Sequence, residues 1–230
     1  MIIDDFMEIL MNKGFDDIWA IIPARGGSKG IKDKNIANLG GKPLIYYAIS
    51  SLIASKTFSK VIVSSDSKKI LNVAKNSGAS TFLRRDKNIS DDFTMPDVPT
   101  IEVLEHFKKQ NEMPKLCFMV QCTSPFIKPE TYAKAAKKLI ENPQATIFAA
   151  YQANHFYWKK DDKNENEYIP VNHPFNKRLG RQFRDKETIE LGAFYGLNTD
   201  LFIKANHRFY NKAIPSILEG HEILDIDDIF

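Results

Sequence analysis

Between Pro23 and Asn35 the chain reads PARGGSKGIKDKN, which sets Arg25, Lys29, Lys32 and Lys34 among Gly26, Gly27 and Gly30. Four cations on so short a loop repel one another unless an anion lies among them. Glycines let a backbone turn sharply and bring its N–H groups close to a ligand. N–H groups and cations converging in this way suit a triphosphate, although an arbitrary Gly/Lys loop is more often a solvated basic loop. The other chemistry-bearing stretch is the tail, Asp225-Ile226-Asp227. On an extended strand both carboxylates face one side, where they repel each other unless a hard divalent cation lies between. A lone D-x-D is as readily an ordinary acidic strand end. Between these two stretches, Gln121-Cys122-Thr123-Ser124-Pro125 collects polar groups behind an apolar run, either in a ligand crevice or in a hydroxyl-rich turn.

The elements that position these residues follow from periodicity. Trp19 to Ile22 reads as a buried strand stopped by Pro23, so the loop falls where open α/β sheets bind ligands. Pro43 to Ala54 is helical, Val61 to Ser64 a second strand ending at Ser65-Asp66, and Ser67 to Asn76 a helix closed by Gly78. Thr81 to Leu83 is a short strand that delivers Arg84 and Arg85. This β-α-β-α-β order predicts a parallel sheet with right-handed crossovers. Asp86 to Pro99 reads as a loop, Thr100 to Gln110 as a helix, Leu116 to Gln121 as a strand, Pro129 to Glu141 as a helix and Ala145 to Tyr151 as a strand. His155 to Pro174 is aromatic and polar without helical period, and Asp161-Asp162-Lys163-Asn164 marks a turn, so a hairpin arm is expected. Thr199 to Ala205 starts a further helix. Ile3, Phe6, Ile9 and Leu10 form an apolar face in a short N-terminal helix ended by Gly14.

At 230 residues the chain suits one α/β domain, with residues 1–16 as an N-terminal extension and about 153–178 as the arm. A net charge of +3, with basic residues spread and mixed with acids, does not favour nucleic acid. No apolar run is long enough to span a membrane, and the acids Asp4, Asp5 and Glu8 argue against a signal peptide. Cys117 and Cys122 lack metal-ligand spacing and read as reduced thiols of a cytoplasmic protein. The histidines form no metal or triad pattern.

Two phosphate motifs are excluded. Gly30 is followed by Ile31-Lys32, which breaks a P-loop, and Gly26-Gly27 has the wrong spacing for a dinucleotide fingerprint. The stretch instead resembles the nucleotide loop of the acylneuraminate cytidylyltransferases, close to P-A-R-x-x-S-K-x-x-x-x-K-N, with Pro23, Ala24, Arg25, Ser28, Lys29, Lys34 and Asn35 in place. Gln121 to Pro125 resembles the family's Q-P-T-S-P, Leu191-Gly192-Ala193-Phe194-Tyr195 its N-G-A-[FI]-Y, and the tail its D-I-D. The resemblance implies a Rossmann-like nucleotidyltransferase fold: a mainly parallel sheet flanked by helices, with a protruding arm that reaches across a homodimer. It implies transfer of CMP from CTP to a nonulosonic (sialic-type) acid with loss of pyrophosphate. Arg25 and Lys29 would neutralise the departing phosphates. Asp225 and Asp227 would hold Mg²⁺ or Mn²⁺. Lys34, Asn35 and Arg84 would hold the nucleotide, while Gln121, Thr123, Ser124, Arg181 and Tyr195 would face the sugar, with Arg181 on its carboxylate.

Departures from the pattern leave the sugar open. Cys122 replaces Pro, Phe126-Ile127 replaces Leu-Arg, Leu191 replaces Asn, and Ile189 stands where a second Arg is frequent. The product could be a CMP-pseudaminic or a CMP- or GDP-legionaminic acid. A nucleotide-binding protein without turnover is the reading from another class, and the Asp225/Asp227 pair speaks against it.

Overall fold

The computed structural model describes residues 17–27, 31–83, 94–177, 180–184 and 186–226. The expected N-terminal helix and most of the Asp86–Pro99 loop lie outside them. Its centre is a sheet of seven strands. These are β1 (Ile18–Pro23), β4 (Lys60–Ser65), β5 (Ser80–Leu83), β6 (Leu116–Val120), β7 (Ala145–Ala153), β10 (Glu187–Asn198) and β11 (Lys212–Ile217). They lie in the order β11-β7-β10-β6-β1-β4-β5, and only β10 runs antiparallel to its neighbours. β2 (Asn38–Leu39) and β3 (Lys42–Pro43) form a small hairpin of their own. The strand order reverses between β1 and β6, so the carboxyl ends of these two strands open the crevice in which such sheets bind ligands.

The alternation of β1 explains the two-sided core. Ile18, Ala20 and Ile22 pack on one face, while Trp19 and Ile21 pack on the other. The first face is covered by α1 (Leu44–Ala54), α2 (Lys68–Asn76) and α4 (Pro129–Glu141). Helices α3 (Asp97–Lys108) and α5 (Thr199–Ala205) cover the second. A strand buried on both faces reads as a continuous apolar run, which is why the sequence shows β1, β4 and β6 plainly.

Besides the small β2–β3 hairpin, two strands of the seven-stranded sheet were not expected. β10 carries Gly192 and Gly196, and glycine weakens a strand signal. Gly196 is nonetheless required, because a Cβ there would lie 2.8 Å from the Phe118 ring. β11 contains Pro215, which an edge strand tolerates. α3 starts at Asp97 rather than Thr100, with Pro99 in its first turn, where the missing N–H costs nothing. The expected arm is a hairpin, β8 (Trp158–Lys160) against β9 (Tyr168–Pro170), turned by Asp161, whose carboxylate accepts from Lys163 N at 2.9 Å.

Behind β10 a buried ion pair ties α3 to the segment before β11. Asp97 is 3% and Arg208 6% exposed. Arg208 Nε donates to both Asp97 oxygens at 3.1 and 3.2 Å, and Nη2 donates to Oδ2. Removing one partner leaves the other charge buried and unpaired. Asp97→Asn is therefore expected to cost roughly 3–5 kcal/mol, read as a lowered urea midpoint. Lys69→Ala, which breaks the exposed pair with Asp33, should cost less than about 1 kcal/mol.

Candidate active site

The glycine- and cation-rich loop leaves β1 at Pro23. Ala24 N still donates to Ser64 O at 2.9 Å, which continues the β1–β4 ladder for one more residue. Gly26 N then donates to Asp66 Oδ1 at 2.8 Å. A Cβ on Gly26 would lie 3.3 Å from the Ser67 Cβ, and Gly27 adopts φ +71°. The loop thus hugs the end of β4 and turns back, which only glycines allow without strain. Lys29 lies outside the described residues.

The loop is held from below by Asn35, on a single 3₁₀ turn (Lys34–Ile36). Its Nδ2 donates to the Arg25 carbonyl at 2.8 Å, and its Oδ1 accepts from the Cys122 thiol at 2.9 Å. Burial pushes the Cys122 thiol up to about 12, with Lys34 pulling it down and Asp225 pushing it further up. The thiol is therefore a neutral donor and not a nucleophile. Among the described residues, Lys34 and Asp225 are the two charged groups near enough to the thiol to act on it.

Gln121, Thr123 and Ser124 follow β6. Gln121 N donates to Ala193 O at 2.9 Å, and its side chain lies over Gly192, where a Cβ would come within 3.3 Å of Nε2. The register of β10 against β7 slips between Glu190 and Tyr195, so Leu191 to Phe194 bulge beneath Gln121. Thr123 and Ser124 are buried. Ser124 Oγ donates to Asp225 Oδ1 at 3.3 Å, and Ile226 N donates to Thr123 O at 2.8 Å.

The tail reaches this place through Glu222, which is 5% exposed. Its Oε1 accepts from Lys128 N at 2.9 Å and Thr131 Oγ1 at 2.7 Å, and so caps the first turn of α4 with a carboxylate, where the helix dipole favours negative charge. Residues 224–226 do not join the sheet as the D-I-D alternation suggested; one backbone bond docks them on Thr123. Asp227 and Arg84 lie outside the described residues, as does the side chain of Arg181.

One expected sugar-facing residue is placed elsewhere. Tyr195 is 2% exposed and packs in the second core face with Trp19 and Met119. Its hydroxyl donates to Glu190, and the Arg208 guanidinium lies 4.6 Å from its ring centroid. Alternation along β10 turns it away from the face that carries Cys122. The structure thus brings together Arg25, Lys34, Asn35, Thr123, Ser124 and Asp225, with Gln121 beside them. Asp66, Glu222 and the Cys122 thiol were missed as positioning groups. Asp66 ends a strand visible in the sequence, whereas nothing in the local pattern marks Glu222.

A mostly parallel sheet with a Gly/cation loop and a docked carboxylate at its switch point is the build of a nucleotide-handling α/β enzyme. The family model for cytidylyltransferases matches residues 19–185, and the chain belongs to this family, together with the N-acylneuraminate and pseudaminic acid cytidylyltransferases. It is 31% identical over 209 residues to the pseudaminic acid cytidylyltransferase of Campylobacter jejuni, covering 91% of this chain and 90% of that protein. It is 34% identical over 179 residues to the N-acylneuraminate cytidylyltransferase of Oncorhynchus mykiss, covering 77% of this chain and 40% of that one. Its fold is shared with a CMP:2-keto-3-deoxy-manno-octonic acid synthetase complexed with CTP, at TM-score 0.63 and 15% identity over 82% of this chain and 77% of that one.

Cys122→Ala removes the donor to Asn35 without adding bulk in the core, so Asn35 loses one of the two bonds that fix its amide. The Michaelis constant for CTP should rise several-fold while the melting temperature changes little. Steady-state kinetics with calorimetry on the same sample checks this.

Proposed function

We propose that this cytidylyltransferase joins CMP from CTP to a nonulosonic acid bearing acylamido groups and releases pyrophosphate, as a cytoplasmic homodimer. The carrying observation is the cage of Arg25, Asn35 and Cys122 on one side of the crevice facing Ser124 and Asp225 on the other. The relative that matches nearly end to end takes pseudaminic acid, so that type of acceptor is the first to try.

In this reaction the sugar's anomeric oxygen forms a bond to the α-phosphorus while the bond from α-phosphorus to the β-phosphate oxygen breaks. The hydroxyl proton leaves to solvent. Arg25, with Lys29 beside it in sequence, neutralises charge growing on the departing pyrophosphate. Asn35 keeps the Arg25 backbone in place, and Lys34 adds charge at the nucleotide. Ser124 orients Asp225. Oxygen donors of this kind fit a hard divalent cation, and Asp225 with Asp227 would hold it. Such an ion, when bound, supplies charge neutralisation at the phosphate and acidifies the attacking hydroxyl. Gln121, over the β10 bulge, and Arg181 address the sugar, with Arg181 suited to its carboxylate.

The arm supports the dimer. Trp158, Tyr168, Val171, Phe175 and Phe183 are each at least 47% exposed, an apolar group that a second copy would cover. Light scattering at micromolar concentration should give twice the chain mass, and a monomer mass would remove the dimer from this reading.

Pyrophosphate release from CTP across a panel of nonulosonic acids tests the activity. It should require Mg²⁺ or Mn²⁺ and stop with a chelator. Asp225→Asn and Asp227→Asn should each lower kcat by roughly a hundredfold or more, a size typical of losing a preorganised charge at the reacting centre. Turnover that survives chelation would remove the metal from the scheme.

A further inference from the structure

After Leu218, the one buried residue among those described is a carboxylate. Glu222 is 5% exposed, while the rest of the segment from Glu219 to Ile226 is exposed or half-buried. Acids are almost never fully buried unless they are paired, and the partners of Glu222 sit at the head of α4. The N-cap there is Lys128, whose side chain has no acceptor, so the helix has no cap of its own. Glu222 Oε1 accepts instead from Lys128 N at 2.9 Å and from Thr131 Oγ1 at 2.7 Å. In a capping box an acid three residues after the N-cap does this for its own helix. Here Thr131 holds that position, and the acid comes from 91 residues further along the chain.

An acid within α4 would cap it equally well. Drawing the acid from the tail adds one thing, which is that the residues after it are held in place. Asp225 lies three residues on, a length of at most about 10 Å when extended. The 3₁₀ turn Gly220–Ile223 and a bond from Leu224 N to His221 O at 3.3 Å shorten that step. Two further contacts reach the tail. Ile226 N donates to Thr123 O at 2.8 Å, and Ser124 Oγ donates to Asp225 Oδ1 at 3.3 Å. The second uses the carboxylate that a cation would share, which leaves Glu222 and Ile226 to carry the docking. Leu224, 47% exposed, adds no apolar anchor. Without Glu222 the tail would keep a single backbone bond, and Asp225 would swing with it.

Resting on the cation reading of Asp225 above, we propose that Glu222 is a positioning residue for the divalent cation: it keeps the tail docked, so that Asp225 is in place before the ion arrives. The affinity for the ion is then scaled by the fraction of molecules whose tail is docked. Docking at α4 and ion binding favour each other, because both act on the same few residues. Glu222 touches neither the ion nor CTP. Its effect is confined to the part of nucleotide binding that depends on the metal.

The probes are CTP and Mn²⁺, without acceptor sugar. Titration calorimetry gives the dissociation constant for CTP with and without Mn²⁺, and the ratio of the two is the gain due to the metal. In the wild type that gain should be about tenfold or more, a usual size for coupled ligands. Asp225→Asn and Glu222→Ala should each lose most of it. Glu222→Gln, which keeps the acceptor oxygen, should restore most of it. In Glu222→Ala the metal-free constant should not weaken, since the Arg25 loop is untouched; general damage to the fold would weaken both constants and leave their ratio alone. A full gain in Glu222→Ala beside a lost gain in Asp225→Asn overturns the positioning role and leaves the cation reading intact. No gain in the wild type, or a full gain in Asp225→Asn, overturns the cation reading and the positioning role with it. Should Glu222→Ala not fold, Thr131→Val decides from the other side of the contact: it removes one of the two bonds to Oε1, and its gain should fall several-fold, whereas an unchanged gain overturns the role.

Discussion

A phosphate loop has no ladder of its own, so something else must hold its backbone still against the repulsion of its cations. Here Asn35 does so. One side chain accepts from a buried thiol at the end of β6 and donates to the carbonyl of Arg25. It thereby joins the strands on either side of the switch point through their carboxyl ends. A carbonyl held in this way fixes where Arg25 leaves the sheet, and Gly26, tied to Asp66, fixes where the loop goes next. Everything the loop could do to a triphosphate depends on those two anchor points, because an anion site works only if its donors are aimed before the anion arrives.

The acidic half of the crevice is built differently. Asp225 has no sheet to stand on, and its position is set three residues earlier by Glu222 at the head of α4. The buried carboxylate and the helix N-terminus satisfy each other, so the tail is clamped by an interaction that would hold without any ligand. Ser124 then needs only to orient the Asp225 carboxylate. The division suits the chemistry: cations are carried on a tight glycine loop, and the opposing carboxylate on a segment docked by a neutralised anchor.

How far the sequence reveals this depends on the strength of each local pattern. The strands buried on both faces, β1, β4 and β6, announce themselves as apolar runs, and the helices α1, α2 and α4 by their period and by Pro43, Gly78 and Pro129. β10 and β11 escape because Gly192, Gly196 and Pro215 serve tertiary needs that local preference opposes: clearance for Gln121 and Phe118, and an edge position. The site residues that lie on motifs, Arg25, Asn35, Ser124 and Asp225, come together. Tyr195 does not, because the β10 bulge between Glu190 and Tyr195 decides which side chains of that strand face the crevice, and a bulge leaves no trace in a period-two pattern. Glu222 and Cys122 act through partners more than eighty residues away in sequence, beyond the reach of any local reading.

The same bulge connects the front of the sheet with its back. On the crevice side it presents Gly192 to Gln121. On the other side Tyr195 is fixed at its hydroxyl by Glu190 and at its ring by Arg208, which is itself held by Asp97. A bulge bends and locally unpairs a strand, so it needs support that the ladder cannot give. Here the support is polar, buried at Tyr195, Arg208 and Asp97 and open to solvent at Glu190. Such a network is fully satisfied in only one arrangement and therefore penalises any slip of the strand more sharply than apolar packing would. Tyr195, expected at the sugar, thus acts behind the sheet, where it keeps the strand beneath Gln121 in register.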